Sequence, residues 1–301
     1  GTSQTWSQSG IASMSGKLLI VGCGDIGANT GRMLIRQGWQ VYGMRRQGSA
    51  VPPPLQALEG DVTRPASLDV LAGLEFSHVL VTLTPGDFTE QAYRAVYCQG
   101  LANVLERLGA QPPARIVFAS STSVYHQNDG SWVDEASPTL PRSFSGQVML
   151  EAESLLASSG IAATSVRFGG IYGPGRTRLI DRLKRGHIVA SDYAAYSNRI
   201  HSADCAGALA HLLQADRSGQ SLLPCYVAVD GHPAPLREVC EWLARACGLD
   251  VTAMSEEPPP LRGGNKRCRN GALLASGYRL QYPDYRAGYA ELLAGSGPVG
   301  A

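Results

Sequence analysis

A doubly wound parallel α/β sheet, with a small C-terminal lobe, is the fold class that this sequence predicts. Three observations carry that prediction. Short β-like runs alternate with helical stretches through the first two-thirds of the 301 residues, the rhythm of βαβ units. The first apolar run leads straight into Gly22-Cys23-Gly24-Asp25-Ile26-Gly27, a G-x-G-x-x-G with a helix-like stretch behind it. Around Pro258-Pro259-Pro260 the alternation stops and Gly and Tyr recur, so the last third reads as a smaller irregular lobe.

Taken in order, strands are expected at Leu18–Val21, Gln40–Met44, His78–Leu83, Arg115–Ala119 and Ala163–Phe168. Helices are expected at residues 26–37, 67–71, 88–108, 146–157 and 203–214. In the glycine motif, Gly22 suits a tight turn. Gly24 lets backbone approach a pyrophosphate, and Gly27 lets the helix pack closely on its strand. The helix start then offers N–H groups and a positive dipole end to phosphate. This order of parts makes the unit Rossmann-like, an ordinary Gly-rich βα turn being the plainer reading. The long helix carries apolar residues at Phe88, Ala92, Ala95, Val96, Leu101, Val104, Leu105 and Leu108, an amphipathic stripe. Asp87 before it, with Glu90 three residues on, suggests a capping box. Residues 1–16 are polar and Ser-rich and are expected to be a disordered or tag-derived leader. Residues 17–170, with 197–230 returning, are expected to form the dinucleotide-binding domain. Residues 171–196 and 231–301 are expected to form a smaller substrate-side lobe.

Composition narrows the function classes. A net charge of +1 gives no electrostatic case for nucleic acid or a membrane surface. No apolar run is long enough to span a bilayer. The seven cysteines are dispersed, without C-x-x-C spacing, which suits reduced thiols and a cytoplasmic setting. No set of residues has the spacing of a metal site. His201 and Asp204, at i and i+3 of a helix start, lack further ligands nearby and read as scaffold. Cys23 fits a slot that needs a small residue, so packing explains it better than redox chemistry.

The dinucleotide is read from the end of the second strand. NAD sites of this type place an acidic residue roughly 20 positions past the glycines. Here no Asp or Glu occurs from Ile26 through Leu58, and Arg45-Arg46 stand at that place. Guanidinium forks match phosphate oxygens, so a 2′-phosphate and hence NADP is expected, with NAD as the alternative. Asp61 and Val62, after the next short strand, are expected at the adenine. Ligands of such sheets gather at the carboxyl ends of strands. Thr82, Leu83, Ser120 and Phe168 are therefore expected at the cofactor, with Gly22, Gly24, Asp25, Ile26 and Gly27.

Further landmarks follow in order: Ser120-Ser121-Thr122-Ser123-Val124-Tyr125, then Arg167-Phe168-Gly169-Gly170-Ile171-Tyr172-Gly173-Pro174-Gly175, then Arg199-Ile200-His201-Ser202-Ala203-Asp204. Gly264-Asn265-Lys266-Arg267-Cys268-Arg269-Asn270 also fits. Together with the glycines these resemble the extended short-chain dehydrogenase/reductases, the NAD-dependent epimerase/dehydratase group that acts mostly on nucleotide sugars. The resemblance runs from about Lys17 to Leu293. It implies that Ser121 polarises the substrate's oxygen. It also implies a Tyr-x-x-x-Lys pair on the following helix for acid–base work. That helix reads Phe144-Ser145-Gly146-Gln147-Val148-Met149-Leu150-Glu151-Ala152-Glu153, which puts Ser145 in the tyrosine place and Met149 in the lysine place. The only lysines, Lys17, Lys184 and Lys266, have no tyrosine four residues before them.

The resemblance therefore implies an atypical member, an oxidoreductase with a non-standard active site, acting on a small carbonyl or hydroxyl substrate. Tyr125 is the best remaining proton donor. Tyr172, His126 and Asp87 are weaker candidates, each with a packing, solvation or capping role instead. A cofactor-binding sensor without turnover is the rival function. Arg167, Arg176, Arg178 and Arg182 cluster around Gly173-Pro174-Gly175 and could meet a phosphate-bearing substrate. Relatives use the long helix and the one around Met149 as a two-fold interface, so a homodimer is open.

Overall fold

The computed structural model describes residues 15–259 and 264–295. Most of the expected leader, Pro260 of the proline run and the last residues of the expected lobe lie outside the described residues. Seven strands form the central parallel sheet: β1 (Lys17–Val21), β2 (Gln40–Arg45), β3 (Gln56–Glu59), β4 (His78–Val81), β5 (Arg115–Ser121), β6 (Ala163–Phe168) and β7 (Cys225–Ala228). Their order across the sheet is β7-β6-β5-β4-β1-β2-β3. This is the doubly wound order 3-2-1-4-5-6 with one further strand. From Leu18 to Val21 every residue of β1 is buried, as is all of β4. A parallel strand covered on both faces needs such continuous apolar character.

Two sheet strands escape the apolar-run criterion. The edge strand β3 is Gln56-Ala57-Leu58-Glu59 and mostly exposed, so it carries no core signal. β7 is buried beyond its first residue, but Cys225-Tyr226-Val227-Ala228 is too short to stand out by composition. The stretch around Ser67–Leu71 is a 3₁₀ helix, Pro65–Leu71, with the proline in its first turn. The long helix is not uniform. It runs as α2 (Glu90–Arg94), a π-helical segment Ala95–Gly100, and α3 (Leu101–Leu108), after α1 (Asp25–Arg36). A Cβ on Gly100 would lie 2.6 Å from Val62 Cγ2, so this turn presses directly on Val62. Asp87 is not the cap. Thr89 is, its Oγ1 accepting from Ala92 N at 3.1 Å, because its hydroxyl directly precedes the first helical turn.

The chain divides into two compact units. The first is Gly1–Ala119, Val148–Ser165 and Ala206–Pro224. The second is Ser120–Gln147, Val166–Cys205 and Cys225–Ala301. In the first unit, the buried face of α1 packs through glycines. A Cβ on Gly27 would sit 2.9 Å from Ile20 Cγ2, the close helix–strand approach expected of this residue. A buried polar chain ties the opposite end of the sheet. His78 Nε2 meets Asp216 Oδ2 at 2.7 Å, and Arg115 Nε donates to Asp216 Oδ1 at 2.7 Å.

In the second unit an aromatic core gathers Tyr172, Tyr285 and Tyr289 with Val239 and Leu243. Tyr172 and Tyr289 stack at 4.4 Å. Asp204 is fully buried and accepts three hydrogen bonds: from Tyr278 Oη at 2.6 Å, Gln281 N at 2.8 Å and Tyr282 N at 3.0 Å. His201 Nδ1 accepts from Ala203 N at 3.0 Å, and its ring stacks on Tyr282 at 4.1 Å. Both residues are scaffold: they fasten the 278–282 segment to the start of the helix Ser202–Arg217.

Candidate functional site

In the first unit the glycine loop is built as its motif requires. β1 ends at Val21, and Gly22 N and Cys23 N both donate to Met44 O at 3.1 Å, which bends the chain away from the sheet. Gly22 has φ +79°, and a Cβ there would lie 2.9 Å from Thr82 O and 3.0 Å from Leu83 Cα. Only glycine fits that turn. Thr82 Oγ1 donates to Gly22 O at 2.8 Å, so the end of β4 braces the loop. Gly24 caps α1 without any side-chain cap, and a Cβ on it would meet nothing within 4 Å. The loop thus presents open space and a helix start together, a fit for a pyrophosphate. Cys23 is buried at this turn, and burial pushes its thiol up to about 11. It packs and does not supply a thiolate.

Arg45 and Arg46 are exposed at the end of β2. Among the described residues neither makes an ion pair. Arg45 lies close enough to act on Cys23, and Arg46 on Asp61. The Asp61 carboxylate accepts from Thr63 N at 2.9 Å and Thr63 Oγ1 at 2.7 Å. Although burial opposes its ionisation, those bonds and the Arg46 and Arg64 charges hold it below the usual range. Val62, next to it, is buried, and Leu83 O accepts from Tyr97 Oη at 2.9 Å. Gly22, Arg45, Asp61, Thr82 and Leu83 therefore all belong to the first unit's strand ends. Ser120 and Phe168, both buried, belong to the second.

The second unit holds the other candidates. Ser121 closes β5 and caps a 3₁₀ turn, Thr122–Val124, its Oγ accepting from Ser123 N at 3.1 Å. Its own hydroxyl proton is not used in that bond. Tyr125 is buried. Its Oη donates to Asp134 O at 2.7 Å and accepts from Arg167 Nη1 at 3.0 Å, with that guanidinium 5.2 Å from the ring centre. Burial drives the phenol well above its ordinary pKa, and Arg167 only partly opposes this. A proton donor needs the reverse shift. His126 accepts from Leu140 N at 3.1 Å and so holds its loop. Tyr172 packs in the aromatic core.

The four arginines do not form one cluster of free cations. Arg167 is buried under Tyr125, and Arg182 pairs with Glu257 at 3.1 Å.

The helix that should carry the acid–base pair is α4 (Phe144–Ala157). Ser145 Oγ lies 3.3 Å from Ser143 Oγ at its start. Gly146 lets this turn abut the carbonyl of Ser123, where no Cβ has room. Met149 is only 5% exposed, a core side chain where a lysine would need a charged surrounding.

Asp230 drew no attention as sequence. It is 2% exposed, its Oδ1 accepts from His232 N at 2.9 Å, and its Oδ2 has no hydrogen-bond partner among the described residues. Burial pushes its carboxyl up to about 7. Its only sequence signal is a position just past β7.

Comparison with known proteins agrees with this architecture. The model of the NAD-dependent epimerase/dehydratase family matches residues 18–223, and the chain belongs to that family. Protein YeeZ of Escherichia coli (strain K12) is 30% identical over 289 residues, covering 89% of this chain and 97% of that protein. A structure from Methylobacillus flagellatus, described as a candidate NAD-dependent epimerase/dehydratase, superposes with a TM-score of 0.80. It is 39% identical and spans 93% of this chain and 98% of its own. The UDP-glucose 4-epimerase of Thermus thermophilus, in complex with NAD, shares the fold at a TM-score of 0.77 and 20% identity, over 90% and 96% of the two chains. Among the described residues no helix is long and apolar enough to cross a membrane.

Proposed function

We propose that this protein is an NADP-linked oxidoreductase of the epimerase/dehydratase type that works without the tyrosine–lysine pair. The observation that carries the cofactor half is Arg45-Arg46, exposed at the end of β2 and, among the described residues, in no ion pair. A 2′-phosphate supplies what those guanidinium groups lack. Gly22, Gly24 and the backbone of Asp25, Ile26 and Gly27 would hold the pyrophosphate, with Asp61 and Val62 toward the adenine. Thr82, Leu83, Ser120 and Phe168 are the strand-end residues assigned to the rest of the cofactor. Bound, the nicotinamide would supply the hydride chemistry.

Ser121 is assigned the contact to the substrate's carbonyl or hydroxyl oxygen, since its hydroxyl proton is free of its capping bond. Tyr125 is assigned a positioning role: through Asp134 O and Arg167 it holds the loop that follows Ser121. The substrate is a small carbonyl or hydroxyl compound, a nucleotide sugar being the class most in keeping with the family.

A second reading, a sensor that binds NADP without turnover, is favoured by Met149, whose buried thioether can neither hold a ribose nor lower a pKa. One experiment separates the two. NADPH and NADH affinities are measured by calorimetry, and NADPH oxidation is then followed with a panel of carbonyl substrates. Oxidation above background that Ser121→Ala abolishes supports the enzyme. NADP binding with no oxidation across the panel supports the sensor. Equal affinity for both cofactors overturns the NADP assignment.

A further inference from the structure

Trp132 lies on the outer face of a two-stranded parallel ladder in the second unit, in which Trp132 pairs with Arg267 and Val133 with Cys268. Val133 and Cys268 are buried, at 1% and 2% exposure. Successive side chains of a strand point to opposite faces, so Trp132, Arg267 and, one step past the strand, Arg269 face outward together. Trp132 is 41% exposed despite its size.

Both guanidinium groups sit against its indole, Arg267 at 4.8 Å and Arg269 at 4.4 Å from the ring centre. Arg267 is also 4.7 Å from the Tyr196 ring, so it lies over two aromatic rings. Its Nε donates to Gly130 O at 2.8 Å, and Gly130 N donates to Asn265 O at 2.8 Å. Asn265 Oδ1 in turn accepts from Tyr196 N at 2.9 Å. Arg269 N donates to Val133 O at 2.9 Å, which fixes the backbone under the second guanidinium.

A guanidinium held over a ring keeps its N–H donors in its own plane. Arg267 spends one donor on Gly130 O and keeps its two terminal nitrogens. Among the described residues no carboxylate lies within ion-pair distance of either arginine. The result is a pair of uncompensated cations over one indole, Arg267 anchored through its Nε. We propose that Trp132, Arg267 and Arg269 form a binding site for a ligand carrying two neighbouring oxyanions, phosphate or carboxylate. Holding the forks in place beforehand removes much of the ordering cost of capture. The site is independent of the glycine loop and of the proposed reaction.

The test titrates the whole protein with inorganic pyrophosphate and, separately, with succinate, by calorimetry and by tryptophan fluorescence. Saturable binding is expected, and Arg269→Ala should weaken it by at least about tenfold, the loss of a charge-assisted bond pair. Arg245→Ala, an exposed arginine elsewhere in the same unit, should leave it unchanged. Trp132→Phe should remove the ligand-dependent fluorescence change. Preference for pyrophosphate or for succinate identifies the oxyanion. Unchanged affinity in Arg269→Ala, even with a lowered thermal midpoint, makes the stack a structural brace and overturns the proposal, as does the absence of saturable binding to either probe.

Discussion

Replacing Asp230 with asparagine should make the protein less sensitive to alkaline pH, by an amount that follows from its surroundings. The carboxyl is buried beyond β7, and its Oδ2 has no hydrogen-bond partner among the described residues. Burial is the largest influence on it. Asp284 and Asp204 oppose its ionisation further, while the His232 N–H and the Arg199 charge favour it. The balance lifts its pKa from 3.8 to about 7. In the pH range between those values the folded protein binds a proton that the unfolded chain has lost. Stability therefore falls as pH rises, at about 1.4 kcal/mol per pH unit. The full cost, roughly 4 kcal/mol, is in place above the folded pKa and vanishes below the unfolded one. Between pH 5 and pH 8 this residue alone should remove about 3 kcal/mol. Asparagine keeps an Oδ1 for His232 N and carries no charge at any pH. Its surplus amide donor has a cost that is the same at both pH values and cancels. Urea unfolding of both proteins at pH 5 and pH 8 reads the difference directly. The wild type should lose about 3 kcal/mol more than Asp230→Asn over that interval. Parallel pH dependences would refute the argument, because they would mean that Asp230 is ionised in the fold throughout.

Three more outcomes follow from the site. Arg45→Ala with Arg46→Ala should weaken NADPH by about 10- to 100-fold, the value of one or two charge-assisted bonds, and change NADH little; equal losses measured by calorimetry would remove the 2′-phosphate assignment. Tyr125→Phe removes the hydroxyl that donates to Asp134 O and accepts from Arg167 Nη1, so it should cost about 1–3 kcal/mol in urea unfolding. Any turnover should keep its pH profile, whereas loss of the acidic or basic limb would make Tyr125 the proton donor after all. Met149→Lys should lower the thermal midpoint strongly, because an ammonium placed in the buried position of Met149 loses its hydration; a midpoint equal to the wild type would show that the place still accepts a cation.

The parts of this fold that were legible as sequence are those where one residue type has one physical use. Gly22 has to be glycine because φ is +79° and the Thr82 carbonyl leaves no room for a Cβ. The continuous apolar runs of β1 and β4 announce strands covered on both faces. The edge strand β3 has no such run, since an exposed edge asks nothing of its side chains beyond backbone pairing. The π-helical turn at Ala95–Gly100 keeps a helical apolar period and so hides inside it. Asp87 and Thr89 are both competent caps by type, and only the angle at which the chain approaches the helix chooses Thr89. Asp230 and the Trp132 stack were silent for a different reason. Their character comes from burial and from partners far away in sequence, such as Arg199 beside Asp230 and Arg267 beside Trp132.

The same distinction separates the two halves of the proposed function, cofactor binding and acid–base chemistry. The glycine loop is specified by local geometry, within the span from β1 to α1 and its brace from Thr82. A tyrosine–lysine pair instead needs a side-chain environment: a charge tolerated beside a phenol, on one face of a helix. At Met149 that environment has become core. Tyr125 has been drawn into a buried brace with Arg167. Neither change disturbs the loop. Keeping the loop therefore says nothing about keeping the proton chemistry, and the proposed reaction places its proton on a group other than Met149. Ser121 is the residue of the second unit whose position, at the end of β5, and whose uncommitted hydroxyl proton leave it free to touch a substrate. The Ser121→Ala measurement thus decides between the two proposed readings, an enzyme and a cofactor-binding sensor.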